Sequence, residues 1–254
     1  MKFFANGLII KKQKYKEKDR IVTVLTGGNG IIQAFVRGAE DIKNPKCAST
    51  DILCYSRLTI SEGKDAYYIN EAKAIEQFKG LRESPESLAL ASYFCDILLC
   101  VCPKDSNAEE YLKLTLNSLY LLSNNKKDRA LIKACFELRT MVLSGYMPDL
   151  VMCNTCGAFE SKAMTFIPNS GIIVCDVCTK ENDIQGITVP FTIMHALRYI
   201  TYSSMDKLFS FKLSTEMLEI LNKVTELYII NMTEKKYKTL DFYKALLKNY
   251  EQTL

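Results

Sequence analysis

Residues 7–39 read GLIIKKQKYKEKDRIVTVLTGGNGIIQAFVRGA. The runs GLIIKKQKY, RIVTVLT and IIQAFVRGA are short, rich in β-branched residues and divided by turn chemistry, which predicts strands. Within Gly27-Gly28-Asn29-Gly30, the Asn-Gly pair favours a type I′ hairpin turn. Downstream, ILCYSRLTISEG and DAYYINEAKAI continue the pattern, with Glu62-Gly63-Lys64-Asp65 as the turn between them. Five strands within the first 80 residues, mostly joined by short turns, predict a small barrel, and an OB-fold fits that count.

Inside this stretch, KKQKYKEKDR puts Lys12, Lys14, Lys16, Lys18 and Arg20 at alternate positions, so an extended chain lines them along one side with Glu17 and Asp19 on the other. With Arg37, Lys43, Lys46 and Arg57 they predict a ridge that tracks phosphates. The same pattern describes a solvated edge strand whose lysines discourage aggregation, and pattern alone does not separate the two. Tyr15, Phe35, Tyr55, Tyr67 and Tyr68 are close enough in sequence to stack on bases, or to pack into the barrel. The net charge of +4 divides into +5 for residues 1–80 and −1 for the remainder, so an anionic partner is steered to the N-terminal third.

After Gly80 the hydrophobic period changes to 3.6. Ser84-Pro85 starts one helix, with a capping hydroxyl and a ring preset at helical φ. Asn107 with Glu110 makes a capping-box-like start for a second, YLKLTLNSLYLL. Asp128 begins a third that places Leu131, Cys135, Leu138 and Val142 on one face and stops near Gly145. Pro190 opens a further helix, and Met217, Leu221, Val224 and Tyr228 line one side of another. The most apolar run, LALASYFCDILLCVC (88–102), is short for a membrane span and carries Asp96, so it reads as a buried helix.

Residues 153–178 read CNTCGAFESKAMTFIPNSGIIVCDVC. Two C-x-x-C pairs separated by 18 residues fit a four-cysteine zinc site. Each loop turns its two sulfurs toward one point, Gly157 supplies the left-handed turn, and Pro168-Asn169-Ser170-Gly171 folds the strands between into a ribbon. Four thiolates fill a tetrahedral shell and leave no position for water or substrate, which makes the site a structural clasp. Metal-free thiols and a rubredoxin-type iron site are the other readings of the same cysteines. The remaining six, Cys47, Cys54, Cys95, Cys100, Cys102 and Cys135, lie in apolar segments without regular pairing and read as free thiols.

Enzyme signatures are missing. The single histidine, His195, has no acid or nucleophile motif around it. The sequence contains neither a three-glycine dinucleotide loop, nor G-x-x-x-x-G-K-[ST], nor the deaminase H-x-E pattern.

Several segments together resemble one family, the bacterial recombination mediator RecO. They are GLIIKKQKYKEKDRIVTVLTGGNG, the following FVRGA, FELRTMVLSGYMPDL leading directly into CNTCG, the F-x-P-x-x-G-x-x-x-C-x-x-C half from Phe166 to Cys178, and KKYKTLDFYKAL near the C-terminus. The resemblance implies an α+β chain: an N-terminal OB-fold β-barrel over residues 1–80 that binds DNA, then an α-helical domain over 81–254 containing a zinc ribbon at about 150–180. By match to the family motif, Cys153, Cys156, Cys175 and Cys178 hold a structural Zn2+. Lys12, Lys14, Lys16, Arg20, Arg37, Lys43 and Lys46 are the expected DNA contacts. Family members bind single- and double-stranded DNA, anneal complementary strands, work with RecR, and contact the acidic tail of single-strand-binding protein to help load RecA. A tail contact needs cations beside an apolar groove. Arg129, Lys133 and Arg139 on the third helix are candidates by composition only, and the pattern describes a solvated helix face better. One departure concerns Glu40-Asp41-Ile42-Lys43, where relatives often carry a denser basic run. The expectation is a non-enzymatic repair and recombination mediator, cytoplasmic and nucleoid-associated, with no membrane and no small-molecule substrate. Its competitor is a protein-interaction scaffold with incidental DNA contact.

Overall fold

The computed structural model describes residues 2–64 and 66–251, the last three of these by backbone alone. The chain divides into two compact units, Met1–Asn124 with Tyr237–Leu254, and Asn125–Lys236. The change from strand to helix comes near residue 80, while the units divide after Asn124, because the helices between residues 85 and 123 and the C-terminal helix fall with the strands in the first unit.

In the first unit, β1 (Lys2–Tyr15), β2 (Asp19–Thr26), β3 (Gly30–Val36), β4 (Tyr55–Glu62) and β5 (Tyr67–Glu76) form a barrel of order β1-β2-β3-β5-β4, closed by β1 against β4. A short helix, α1 (Pro45–Ser49), lies between β3 and β4 in sequence, and the whole is the OB arrangement. All pairings are antiparallel except β3 with β5, where Ala34 and Phe35 stand opposite Tyr67 and Tyr68. Alternation puts Ile9, Val22, Val24, Ile32, Val36, Leu58, Ile60 and Ile69 inside as one core.

The β2–β3 connection differs from the type I′ turn expected. Thr26 pairs with Gly30, leaving a three-residue loop of Gly27, Gly28 and Asn29, none of them left-handed, while Gly30 at the start of β3 takes φ 61°. A Cβ there would lie 2.2 Å from the Pro103 carbonyl oxygen, and the Ile31 N–H donates to that same oxygen. The β4–β5 turn closes with the Gly63 N–H donating to the Ala66 carbonyl, while Asp65 lies outside the described residues.

Three helices complete this unit: α2 (Pro85–Val101), α3 (Glu109–Ser123) and α8 (Lys238–Glu251). Ser84 caps α2 as its sequence predicts, accepting from the Ser87 N–H. The α3 start is displaced by one residue from the expected box, since Asn107 accepts from Glu109 and Ala108 is the cap residue. The apolar run 88–102 is a buried helix, and its Asp96 accepts from the Thr239 hydroxyl at 2.7 Å, fastening α8 to α2. No helix among the described residues is long and apolar enough to cross a membrane.

The second unit packs α4 (Arg129–Leu143) against α6 (Phe191–Tyr202) and α7 (Thr215–Thr233). A three-stranded ribbon of β6 (Met164–Ile167), β7 (Ile172–Cys175) and β8 (Ile187–Val189), in order β7-β6-β8, carries the short helix α5 (Asp176–Glu181). The strand β8 has no counterpart in the sequence reading. Asp128 caps α4, and Gly145 follows its end at φ 85°. Tyr228 of α7 anchors the ribbon: its ring stands edge-on to Phe166, its hydroxyl donates to the Tyr146 carbonyl, and a Cβ on Gly171 would lie 2.7 Å from that hydroxyl.

Candidate metal centre and nucleic-acid interface

The metal centre is built by two hairpin ends. Cys153 and Cys156 precede β6, whereas Cys175 ends β7 and Cys178 lies on α5. Gly157 takes φ 75° and its N–H donates to the Cys153 carbonyl, closing the first loop. The Cys175 N–H points at the Cys153 sulfur at 3.3 Å, and the Cys178 N–H at the Cys175 sulfur at 3.5 Å. All four Sγ atoms lie within 4.8 Å of one another. Cys156 and Cys175 sulfurs are 3.7 Å apart, matching the edge of about 3.8 Å that a tetrahedron takes with zinc–sulfur bonds of about 2.3 Å. Burial opposes ionisation of Cys153, but the N–H groups of Cys175, Cys156 and Thr155 outweigh it and hold the thiol at about 6. Cys178 is pushed far up by its sulfur contacts with Cys175 and Cys156. One thiolate is therefore favoured and further ones are opposed by it, which is the electrostatic demand that a tetrahedral dication answers. The four cysteines fit a metal ion. Arg198 of α6 supports the loop outside the ligands, donating to the carbonyls of Leu150, Val151 and Phe159. Nothing in the local sequence marks Arg198, because its acceptors lie 39 to 48 residues away along the chain.

The alternate lysines do not form one row. Directly paired strand residues share a face, so Lys12 opposite Val22 and Lys14 opposite Arg20 lie on the side of the inward-pointing partners. Lys12 pairs there with Asp51, which Arg82 also reaches at 3.2 Å. Arg20 is removed from the candidate contacts, being only 3% exposed. Its Nε donates to Glu40 at 2.8 Å, while its terminal nitrogens donate to the carbonyls of Ala39, Cys47 and Thr50. Arg20 is buried and Glu40 half-buried in this pair, which cancels one of the two acids in the divergent loop. Lys43 is exposed in that loop, its N–H held by the Asp41 carboxylate.

Lys16 leaves the alternation. It takes φ 58° in the β1–β2 turn and its ammonium sits 5.4 Å from the centre of the Tyr15 ring. Tyr15 stands edge-on to Phe35 at 5.1 Å, Phe35 stacks on Tyr68 at 5.6 Å, and the Arg37 guanidinium lies 5.6 Å from the centre of the Tyr68 ring. A row of three aromatic rings thus crosses β1, β3 and β5 on the outer face, with a cation at each end. Tyr67, one residue from Tyr68, points the other way and packs on the core against Phe3. Beside the row lies a depression of about 360 Å3 lined by Phe35, Arg37, Lys46, Ser61, Tyr68 and Asn70. Of the seven cations expected to touch DNA, the tertiary structure gathers Lys16, Arg37 and Lys46 around these rings and sets Lys12 and Lys14 on another face.

Two of the three expected partner-binding cations also turn inward. Lys133 lies between Glu137 at 2.8 Å and Glu226 at 3.1 Å, and Thr225 donates to the second Glu137 oxygen. Arg139 donates to the Thr201 and Ser203 carbonyls, capping the C-terminus of α6. Both are buried, so neither offers charge to a ligand, and the pattern of α4 shows only the Lys133–Glu137 pair one turn apart, since Glu226 comes from α7 and the carbonyls that hold Arg139 come from the end of α6. Arg129 is half-buried at the start of α4. His195 is exposed and packs edge-on against Phe191.

The family model for the recombination protein O N-terminal domain matches residues 1–78, and that for its C-terminal domain matches residues 82–241. The chain belongs to the recombination protein O family. A protein of Acetivibrio thermocellus named DNA repair protein RecO is 36% identical over 244 residues, covering 95% of this chain and 96% of that one. Proteins of the same name from Clostridium novyi and Caldicellulosiruptor saccharolyticus are 28% and 26% identical, each over 97% of this chain. The RecO-type order of segments thus corresponds to a barrel, helices and a four-cysteine ribbon in that order along the chain.

Proposed function

We propose that this RecO-family chain is a non-enzymatic DNA-binding repair and recombination mediator. On this reading it anneals complementary strands and, with RecR, helps load RecA on DNA coated by single-strand-binding protein. The observation that carries the reading is the row Tyr15–Phe35–Tyr68 with Lys16 and Arg37 at its ends. Tyr15 is exposed and Phe35 and Tyr68 are half-buried, so the row offers ring surface on which any base can stack while flanking cations hold the phosphates, and binding is tolerant of sequence. Annealing then needs no bond chemistry: the cationic surface lowers repulsion between two backbones and base pairing supplies the driving force. Cys153, Cys156, Cys175 and Cys178 would hold Zn2+, which when bound closes the ribbon without an open coordination position. Strand annealing in the presence of single-strand-binding protein tests the reading. Faster pairing on coated strands, weakened by salt, is expected, and no annealing with or without that protein would remove it.

A second reading, a protein-interaction scaffold, is favoured by the exposed apolar side chains Val151, Met152, Phe159, Val177 and Phe191 of the helical unit. With Lys133 and Arg139 internal, contact with an acidic tail would have to use other cations, Arg129 among them. A pull-down from nuclease-treated lysate separates the readings, since partners retained after nuclease favour the scaffold.

A further inference from the structure

The outer face of the barrel does not end at Tyr68. In the strand register Tyr68 stands opposite Ser61, and Ser61 opposite Lys2, so the aromatic row continues across β4 to the start of β1. Ser61 lines the same depression as Phe35, Arg37 and Lys46. Farther along β4, four residues from Ser61 and so about 13 Å away at roughly 3.3 Å per residue, Arg57 lies directly opposite Lys73 of β5. Two like charges in direct cross-strand register oppose sheet pairing. Neither has an ion-pair or hydrogen-bond partner among the described residues. Between them and Lys2 stands Phe4, 76% exposed on an outward position of β1, opposite Thr59. Glu71, which accepts from the Thr59 hydroxyl at 3.4 Å, and Glu76, opposite Tyr55, are the carboxylates along these two strands. Lys2, Arg57 and Lys73 against Glu71 and Glu76 leave the face cationic by one charge, with the exposed Phe4 ring among the three cations.

Resting on the DNA-binding reading, we infer that a single strand seated on Tyr15–Phe35–Tyr68 continues over Ser61 and Lys2 onto Phe4, Arg57 and Lys73, wrapping the barrel on the side of β1, β4 and β5. The polyanion relieves the Arg57–Lys73 repulsion and gives Phe4 a base to stack on. The occupant is the same strand, because the outward residues connecting the two faces are in continuous register.

The test is fluorescence anisotropy of the full chain with oligothymidylates of about 4 and about 16 nucleotides, the two ends of the range of sites that one OB-fold covers. Wild type is expected to gain affinity with length. The pair of substitutions Arg57→Glu and Lys73→Glu should leave the short oligonucleotide within about twofold and lower affinity for the long one by about tenfold or more, at about −0.7 of salt slope per lost contact. Phe4→Ala should reduce the length gain several-fold with the salt slope unchanged. Arg57→Glu alone turns a like-charge pair into an opposite one, so it should fold at least as well as wild type and still lose part of the length gain. Unchanged binding of the long oligonucleotide by the double variant, equal losses for both lengths, or a stoichiometry of two long strands per chain would each overturn the continuous path while leaving the aromatic row in place. Absence of binding by wild type to either length would instead remove the DNA-binding reading itself.

Discussion

Phe35 and Tyr68 stack with ring centroids 5.6 Å apart and planes 25° from parallel, although 32 positions separate them in sequence and their strands run parallel at only this point. That contact sets the middle of the aromatic row. Replacing Tyr68 with Ala removes one stacking platform and the ring under Arg37, and should weaken single-strand binding by about 1–3 kcal/mol. Anisotropy with matched single-stranded and duplex probes checks it, and an equal loss on both would show that the ring does not contact bases.

The two faces of the β1–β2 hairpin should separate in salt titrations. Lys16→Ala and Arg37→Ala should each reduce the single-strand slope by about 0.7. Lys14→Ala, on the other face, should leave it unchanged. An equal effect of all three would return the alternate lysines to one common ridge.

Arg20 should act on stability before it acts on DNA. Arg20→Met leaves Glu40 without its ion pair and the carbonyls of Ala39, Cys47 and Thr50 without a donor, in a setting only 3% exposed at the arginine. A loss of about 3–5 kcal/mol in urea unfolding is expected. A stability within about 0.5 kcal/mol of wild type, with DNA affinity lost, would reverse this assignment.

Asp51 gives the barrel a defined acid sensitivity. Burial raises its pKa, but the hydrogen bonds from Lys12 and from the Ile52 N–H, with the charges of Lys12 and Arg82 behind them, outweigh it and hold the carboxyl below its ordinary value of 3.8. Because the folded value is depressed, the contribution is present above 3.8 and is lost as pH falls through the folded value. The Tm gap between wild type and Asp51→Asn should therefore be larger at pH 7 than at pH 3, and a constant gap would contradict it.

For the ribbon, Cys175→Ser should abolish metal binding from a wild-type value of one ion per chain by elemental analysis. It should also expose residues 150–180 to protease while leaving oligonucleotide affinity intact, since Cys175 and the aromatic row belong to different compact units. Wild-type protein folded to the same resistance after chelation would contradict a structural role.

What rests on local chemistry was legible along the chain. Period-2 runs and turn residues specified the five strands, Ser84 and Asp128 specified helix starts, and the paired C-x-x-C loops specified which sulfurs meet, because each depends on residues adjacent in the chain. Tertiary structure decided which charges and rings reach solvent. Arg20, Lys133 and Arg139 looked like surface cations, yet Arg20 and Arg139 are drawn inside by acceptors 19 to 64 residues away, and Lys133, besides its helix neighbour Glu137, by Glu226 93 residues away. Tyr67 and Tyr68 differ by one position, and only the β3–β5 register sends one to the core and the other to the row. A side chain's exposure depends on what distant backbone lies opposite it, and that pairing is fixed when the barrel closes.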